Sequence, residues 1–588
     1  MIVPMKKAHI IVQAKDDNGA LEKLRDIGLL HIEHQQAPAG KDISAINDDL
    51  DLLESAINIL SDREFQNGAP VPREEKTAGW RDISRHIIDS AKRLDHLREY
   101  SAKLEQDIFR WQAWGEFDPQ ELHELEQKGI YVRLYQVPQK ELGNFPADSA
   151  VKKIFTAKGM VNCVVVFKQK PQVPFREIPL PKMGLSKMRA RLSEDRQVAE
   201  FIKEDIKKHT AYFKGLLKAK SGLEKELEFF RALRGMGEAA SLKYICGYIP
   251  FDAADTLHKE AAMHGWGVVI NEPSEDDLVP TLLRNPRWVS IINPIFKLIE
   301  VVPGYHELDI SLWFLIFFSI FFGMLIGDAG YGAILFVITF LIQRKLGRRL
   351  PNASAFILFY ILSSCAIIWG LLSATFFGQE WLPSFVKPIL PALRDDVRVQ
   401  SFCFLLGALQ LSIAHLWRFI LKLPSLAAWA DMGWLLIIWA AFLLAKHLVL
   451  GFGFPVFGKW LIMTGALLVL FFSHPNKNPL KGVGQGLGTL LLNLMNNFTD
   501  LVSYIRLFAV GLATVAVADA FNKMALSIGF NNIFSGIATA LILLLGHTLN
   551  VLLGPMSVLV HGVRLNVLEF CNHLDIKWSG FSYRPLKN

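Results

Sequence analysis

An arginine lies inside an apolar stretch long enough to cross a lipid bilayer: Arg506 interrupts a segment that runs from about Leu487 to Ala525. Its guanidinium keeps its charge under essentially all conditions, and placing it at mid-bilayer costs about 2.5–3.5 kcal/mol on insertion scales. A chain that contains such a residue needs membrane helices packed around a polar interior.

Helical spacing gives Arg506 two neighbourhoods. Toward the C-terminus, Ala509, Ala513, Ala516 and Ala520 follow at steps of three and four, a face of small residues that another helix can approach closely. Toward the N-terminus the segment turns polar, with Asn493, Asn496, Asn497, Thr499, Asp500 and Ser503. A second apolar segment carries His547, Asn550, Gly554, Ser557, His561 and Arg564 at intervals of three, four, three, four and three, which puts all six on one helix face. Each arginine thus stands at one end of a polar stripe. The structural alternative is that each snorkels to a headgroup or pairs with a buried acid, and for Arg564 the acid at hand is Glu569, one turn on.

Of 588 residues 51% are hydrophobic, and the two halves differ: residues 1 to about 300 are charged and soluble in character, whereas from about 308 onward apolar runs of spanning length dominate. The sequence therefore predicts an α-helical polytopic membrane domain over 301–588 and an α+β head over 1–300. The net charge of +7 is spread over the head and short loops, which speaks against nucleic acid as a partner. The cysteines at 163, 246, 365, 403 and 571 have no metal or redox spacing, and the N-terminus shows no signal-peptide core, so the head is expected in the cytoplasm.

In the head, 8–13 and 29–33 read as strands around a helix at 18–27, and 243–248, 253–264 and 267–270 repeat the pattern, giving α/β lobes at 1–40 and 240–275. Charged helices over 44–118 and 187–233, the first with a seam of Ile87, Ala91, Leu94, Leu97, Ser101, Leu104, Ile108 and Trp111, read as an antiparallel coiled-coil arm. Two solvated amphipathic helices on a globular domain are the alternative. Strands at 130–137 and 161–168 place a distal α/β lobe at 119–186.

About eight spans are expected, at 309–326, 331–343, 354–377, 399–421, 427–450, 457–474, 484–526 and 532–574. Basic residues at 344, 345, 348, 349, 418, 422, 477, 481, 577, 584 and 587 fall on the side of the head, so both termini are expected in the cytoplasm. The last two segments, at about 43 residues or about 65 Å each, exceed a hydrocarbon core of about 30 Å and must tilt, kink or project.

No phosphate-binding Gly-x-x-x-x-Gly-Lys-Ser/Thr loop occurs. Its nearest look-alike, Ala39-Gly40-Lys41-Asp42, lacks the leading glycine and the hydroxyl, so the chain is not expected to hydrolyse ATP. No metal cluster or Ser-His-Asp set stands out, and no cofactor is expected.

Four stretches carry a family resemblance: Trp114-Gly115-Glu116-Phe117-Asp118-Pro119, Gly323 to Gly332 (GMLIGDAGYG), Ser503-Tyr504-Ile505-Arg506-Leu507, and His561-Gly562-Val563-Arg564-Leu565. With them the chain resembles the stator subunit (subunit a, or subunit I in prokaryotes) of V-type and A-type rotary ATPases, and its length resembles the shorter prokaryotic form. The resemblance implies a plasma membrane of a bacterium or archaeon and a rotating ring of proteolipid (c/K-type) subunits, each with a buried carboxylate that carries H+ or Na+. It implies that Arg506 and Arg564 drive ion translocation. Asn496 and Ser503 would line cytoplasmic access, within a polar patch that includes Asn493 and Asp500, and His547, Asn550, Ser557 and His561 would line outer access; Glu569 would also be channel-lining. The implied partners are E/G-type peripheral stalks, a d/C-type central-stalk subunit, the ATP-hydrolysing A/B sector indirectly, and membrane lipid. One departure is Gly554, where many members carry a Glu. Asp328, in a Gly-rich break, reads as a helix cap rather than part of the ion path.

Two other classes compete. A secondary transporter calls for inverted repeats and paired broken spans, which the sequence lacks. A membrane scaffold leaves two costly polar stripes without a use.

Overall fold

The computed structural model describes residues 1–66, 79–157, 159–347, 353–378, 388–473, 479–530 and 532–587. The chain divides into two compact units. One comprises Met1–Ile10, Leu29–His31 and Gly247–Pro585; the other comprises Ile11–Gly28, Ile32–Cys246 and Leu586–Asn588.

In chain order the elements begin with β1 (Met5–Gln13), α1 (Asp17–Ile27) and β2 (His31–Glu33), the strand-helix-strand expected there. Then follow α2 (Lys41–Ser61), α3 (Trp80–Trp111), β3 (Tyr131–Pro138), β4 (Ala150–Ala157), β5 (Met160–Phe167), β6 (Glu177–Ile178), α4 (Leu185–His209) and α5 (Phe213–Arg234). After these come β7 (Gly237–Ala239), β8 (Leu242–Pro250), α6 (Ala254–His264) and β9 (Gly267–Asn271). One sheet has the order β2-β8-β1-β9 with β7 on β8; the other, β4-β5-β3-β6, is antiparallel.

Helices α2 to α5 share a core of Leu53, Leu60, Phe65, Ile87, Leu94, Ile202, Ile206 and Leu216. Ion pairs fix their directions: Glu105 meets Arg196 at 2.6 Å and Asp118 meets Lys187 at 2.9 Å, so α3 and α4 run antiparallel. Glu54 with Lys220 (2.6 Å) and Asp42 with Arg234 (2.8 Å) do the same for α2 and α5. The stretch 187–233 is two helices, because a single 3₁₀ turn at Thr210–Tyr212 interrupts it. The motif at 114–119 closes a turn. Trp114 is buried, Asp118 caps the helix Pro119–Gln127 by accepting from Gln120 N, and Glu116 accepts from Ser186 N.

The apolar half supplies α7 (Ser311–Ile326), α8 (Ala329–Leu346), α9 (Ala353–Ser373), α10 (Asp396–Lys422), α11 (Ala428–Leu450) and α12 (Val456–Phe472). It ends with α13 (Pro479–Val502), α14 (Ile505–Ile528) and α15 (Ile533–Arg564). Helix α7 is apolar on every side, the pattern of a helix with no solvent face. Phe314, Phe318, Phe321 and Met324 are accordingly buried, and α7 packs against α9, α14 and α15.

Eight separate spans are not what the described residues contain. Five helices are long and apolar enough to cross a membrane, or up to six if α7 and the following helix, bent by 120°, count as one. The bend has a local cause. Gly327 takes φ 66°, a left-handed conformation that ends α7, and Asp328 starts α8 by accepting from Gly330 N at 2.7 Å and Tyr331 N at 3.1 Å. Its other oxygen accepts from Gly378 N at 3.1 Å, which ties the bend to the chain after α9. Helix α12, at 17 residues, falls short of the roughly 20 a span needs. Of the loop cations used for orientation, Arg348, Arg349 and Lys477 lie outside the described residues.

Candidate functional site

The Arg506 segment is broken at the motif. Helix α13 ends at Val502 and α14 begins at Ile505; between them Tyr504 N bonds Leu501 O and Arg506 N bonds Ser503 O, short turns that interrupt the α pattern within one apolar span, Val483–Ile528. Tyr504 pins the break. Its ring is fully buried and lies over Gly407, where an added Cβ would come within 2.6 Å of it. The Tyr504 hydroxyl donates to Gln410 Oε1 (2.8 Å), Gln410 Nε2 donates to Asn566 Oδ1 (2.9 Å), and Asn566 Nδ2 donates to Gly562 O (2.9 Å). This buried chain joins α14, α10 and the end of α15, and leaves each of these polar groups satisfied.

The end of α15 is irregular too. After Arg564 the helix continues as a π turn, Leu565–Phe570. In α geometry, residues five apart point about 140° away from each other. The wider π turn reduces that angle and brings Glu569 back toward Arg564.

Glu569 is the centre of the cluster. Its Oε1 lies 3.6 Å from Arg506 Nη1, 3.6 Å from Arg564 Nε and 3.3 Å from Ser503 Oγ. Its side chain is 5% exposed, that of Arg506 21%, and that of Arg564 55%. At 3.6 Å these are ion pairs rather than hydrogen bonds. One buried carboxylate therefore faces two guanidinium groups, and the cluster keeps a surplus positive charge. Along α14 beyond it, Ala509, Ala513, Ala516 and Ala520 are all exposed.

On the other side of Ser503 lies a polar cavity of about 840 Å³. Asn493, Asn496 and Asp500 line it, as do His415, Arg418, Lys422, Asp431 and His573, which lie outside the two polar stripes. His415 Nε2 and His573 Nδ1 are 2.9 Å apart, His573 Nε2 is 3.3 Å from Asp500 Oδ2, and His415 Nδ1 is 3.6 Å from Asp431 Oδ1. Asp431 is also met by Lys422 Nζ at 2.7 Å and Arg418 Nε at 3.3 Å. The available signal was that of Arg506 itself, an ionisable residue within an apolar helix: His415 in α10 and Asp431 in α11 both qualify.

The second stripe divides. His547 Nδ1 lies 2.8 Å from the Tyr331 hydroxyl, and Asn550 Nδ2 donates to that hydroxyl (3.1 Å) and to Thr514 O (3.0 Å). Tyr331 belongs to the Gly-rich motif, which thereby reaches the site. Ser557 and His561 are half-buried farther along α15, toward Arg564. The 400 Å³ cavity beside His547 is walled chiefly by Ile334, Phe377, Leu526, Phe530 and Leu543. Gly554 is buried, and a Cβ there would meet the end of the Ile326 side chain, Cδ1, at 2.8 Å. A further cavity, of about 190 Å³, brings Arg394, Asp396 and Asp519 beside Gly511 and Ala516; these charged residues too were missed.

Fold and site together define a polytopic helical membrane protein that holds an ionised cluster where two irregular helices meet. Over its whole length the chain is 30% identical to the V-type ATP synthase subunit I of Borreliella burgdorferi, covering 99% of that protein. It is 28% identical to V-type ATP synthase subunit I 1 of Treponema pallidum, with all of both chains covered. Similarity extends to the A-type ATP synthase subunit I of Methanocaldococcus jannaschii, 25% identical over 86% of this chain and 82% of that one. The chain belongs to the V-type and A-type ATP synthase subunit I family. No protein-family model matches it. A crystal structure of the cytoplasmic N-terminal domain of subunit I, homolog of subunit a, of V-ATPase aligns with 45% of this chain and 99% of that one, at 15% identity and a TM-score of 0.22.

Proposed function

We propose that this chain is the membrane stator subunit of a rotary V/A-type ATPase and forms two offset ion half-channels against a proteolipid ring. It works as a non-catalytic subunit of that complex. Residues 1–300 act as a cytoplasmic head that anchors E/G-type peripheral stalks and meets a d/C-type central-stalk subunit, and 301–588 act as the membrane domain. The host membrane is a bacterial or archaeal plasma membrane, with both termini cytoplasmic and the A/B sector engaged indirectly.

The observation that carries this reading is the surplus charge: one buried carboxylate, Glu569, set against Arg506 and Arg564. A ring carboxylate arriving beside that charge is favoured in its ionised form, by about one to three pKa units for an arginine at contact distance. It therefore releases H+ or Na+. The cavity lined by Asn493, Asn496 and Asp500 gives that ion an aqueous route on one side, and Ser503 stands between cavity and cluster. His547, Asn550, Ser557 and His561 serve the opposite route, with Tyr331 holding the first two in place. The same fixed charge repels a cation that would pass straight from one route to the other. The exposed alanine face of α14 gives the ring room to turn.

Arg506→Ala is expected to abolish ATP-driven ion transport in membrane vesicles while the complex still copurifies with a small proteolipid bearing a mid-span acid. Transport at the wild-type rate by an assembled Arg506→Ala complex would refute the role given to this residue.

A further inference from the structure

Away from the membrane helices, three metal-ligating side chains converge on the helix bundle of the second unit. His86 on α3 places Nε2 2.7 Å from Asp205 Oδ2 on α4, and His209, one turn beyond Asp205, has Nδ1 3.9 Å from Asp205 Oδ1. The two imidazole rings lie 4.9 Å apart, and one donor atom from each of the three residues falls within 4.8 Å of the others. Among the described residues this is the one such group of His, Cys, Asp or Glu.

We propose that His86, Asp205 and His209 bind a divalent transition cation, zinc(II) by ligand type, which clamps α3 to α4. Two imidazoles and one carboxylate with an open fourth position for water form an ordinary three-ligand zinc set, whereas magnesium and calcium call for oxygen donors. A tetrahedral site with bonds of about 2.0–2.1 Å needs its donors about 3.3 Å apart. Rotation of half-exposed side chains covers the remaining difference: His86 is 53% exposed, Asp205 31% and His209 22%.

Three further features favour metal over a plain hydrogen bond. His209 Nδ1 lies 2.8 Å from the backbone oxygen of Asp205, and by donating to it fixes the tautomer in which Nε2, rather than the Nδ1 that stands 3.9 Å from Asp205 Oδ1, is the atom left to ligate. Asp205 and His209 are four apart on one helix, so both face the same side, and the neighbouring Ile87 and Ile206 are fully buried and hold both backbones rigid. His209 is also the last residue of α4, where the negative end of a 25-residue helix dipole attracts a cation.

The test is zinc binding by the full chain in detergent, stripped with chelator and titrated against a chromogenic competitor. Wild type is compared with His86→Ala, His209→Ala and Asp205→Asn, and with His96→Ala as an exposed histidine on the same helix. The expected result is one tight site in wild type and His96→Ala that weakens at least about tenfold in each of the other three. Equal stoichiometry and affinity in all five proteins overturns the proposal. If the ligand variants fail to fold, cobalt(II) added to the wild-type chain decides alone. Intense tetrahedral d–d bands support the site, and a weak octahedral spectrum overturns it.

Discussion

Tyr504 decides where Arg506 can point. Its hydroxyl starts the buried chain through Gln410 and Asn566, so Tyr504→Phe leaves Gln410 Oε1 without its donor. A loss of about 1 kcal/mol is expected, seen as a lowered unfolding temperature in detergent, and an unchanged unfolding temperature would mean that the bond contributes little. Glu569→Ala is a different case. It removes the buried counter-charge from two guanidinium groups, and is expected to destabilise more than Glu569→Asp in the same assay, by about 3–5 kcal/mol. Equal effects of the two substitutions would mean that the pairing contributes little. Arg506, Arg564 and Glu569 were legible in the sequence because a charge among apolar residues is costly and hence conspicuous. The pairing of His415 with His573 was not, because 158 residues separate them and only the packing of α10 against the chain after α15 makes them neighbours.

The two faces of α14 can be told apart by substitution. Gly511 packs on α7, and a Cβ there would lie 2.6 Å from the backbone oxygen of Met324, so Gly511→Val forces the helices apart. An unfolding penalty of about 1–3 kcal/mol is expected in the isolated chain. Ala513, two residues on, is exposed, so Ala513→Val is expected to leave isolated-chain stability unchanged and to slow ATP-driven transport by the assembled complex. Loss of stability in Ala513→Val would place that face inside the fold. Strand-helix-strand units and apolar segments were readable at this scale because periodicity announces them. The 120° bend before α8 was hidden, since counting apolar residues reports length and not direction; the signal was Gly327-Asp328, a left-handed position followed by a cap.

The two compact units answer to different solvents. Glu64, beside the α2–α5 core, is held below its ordinary carboxylate value, chiefly by the hydrogen bond from Lys203, with Arg98 adding and burial opposing. A depressed folded value means that the pairing stabilises above the unfolded pKa of about 4.3 and is lost as pH falls through the folded one. Hydrogen exchange of the full chain in detergent should therefore show α2, α3 and α4 losing protection below about pH 4.3 before the apolar helices do. In Glu64→Gln that loss should be shallower. An unchanged profile would assign the acid response to other carboxylates. At this scale the family was readable from four short motifs, whereas the division of the chain was not, because Met1–Ile10 joins residues after Gly247 and no local signal announces so distant a partner.

A π turn is an α-helix carrying one residue too many, and Leu565–Phe570 has that surplus immediately after Arg564. Deleting Val567 would restore regular winding without removing any charged group. Glu569 would then stand four residues after Arg564 instead of five, about 40° around a regular α-helix, so the carboxylate is expected to stay on the arginine face. The alignment of the cluster thus depends on winding as well as on residue identity: with every residue kept, a regular α-helix would carry Glu569 about 140° away from Arg564, and the surplus residue is what the wide turn absorbs to bring it back.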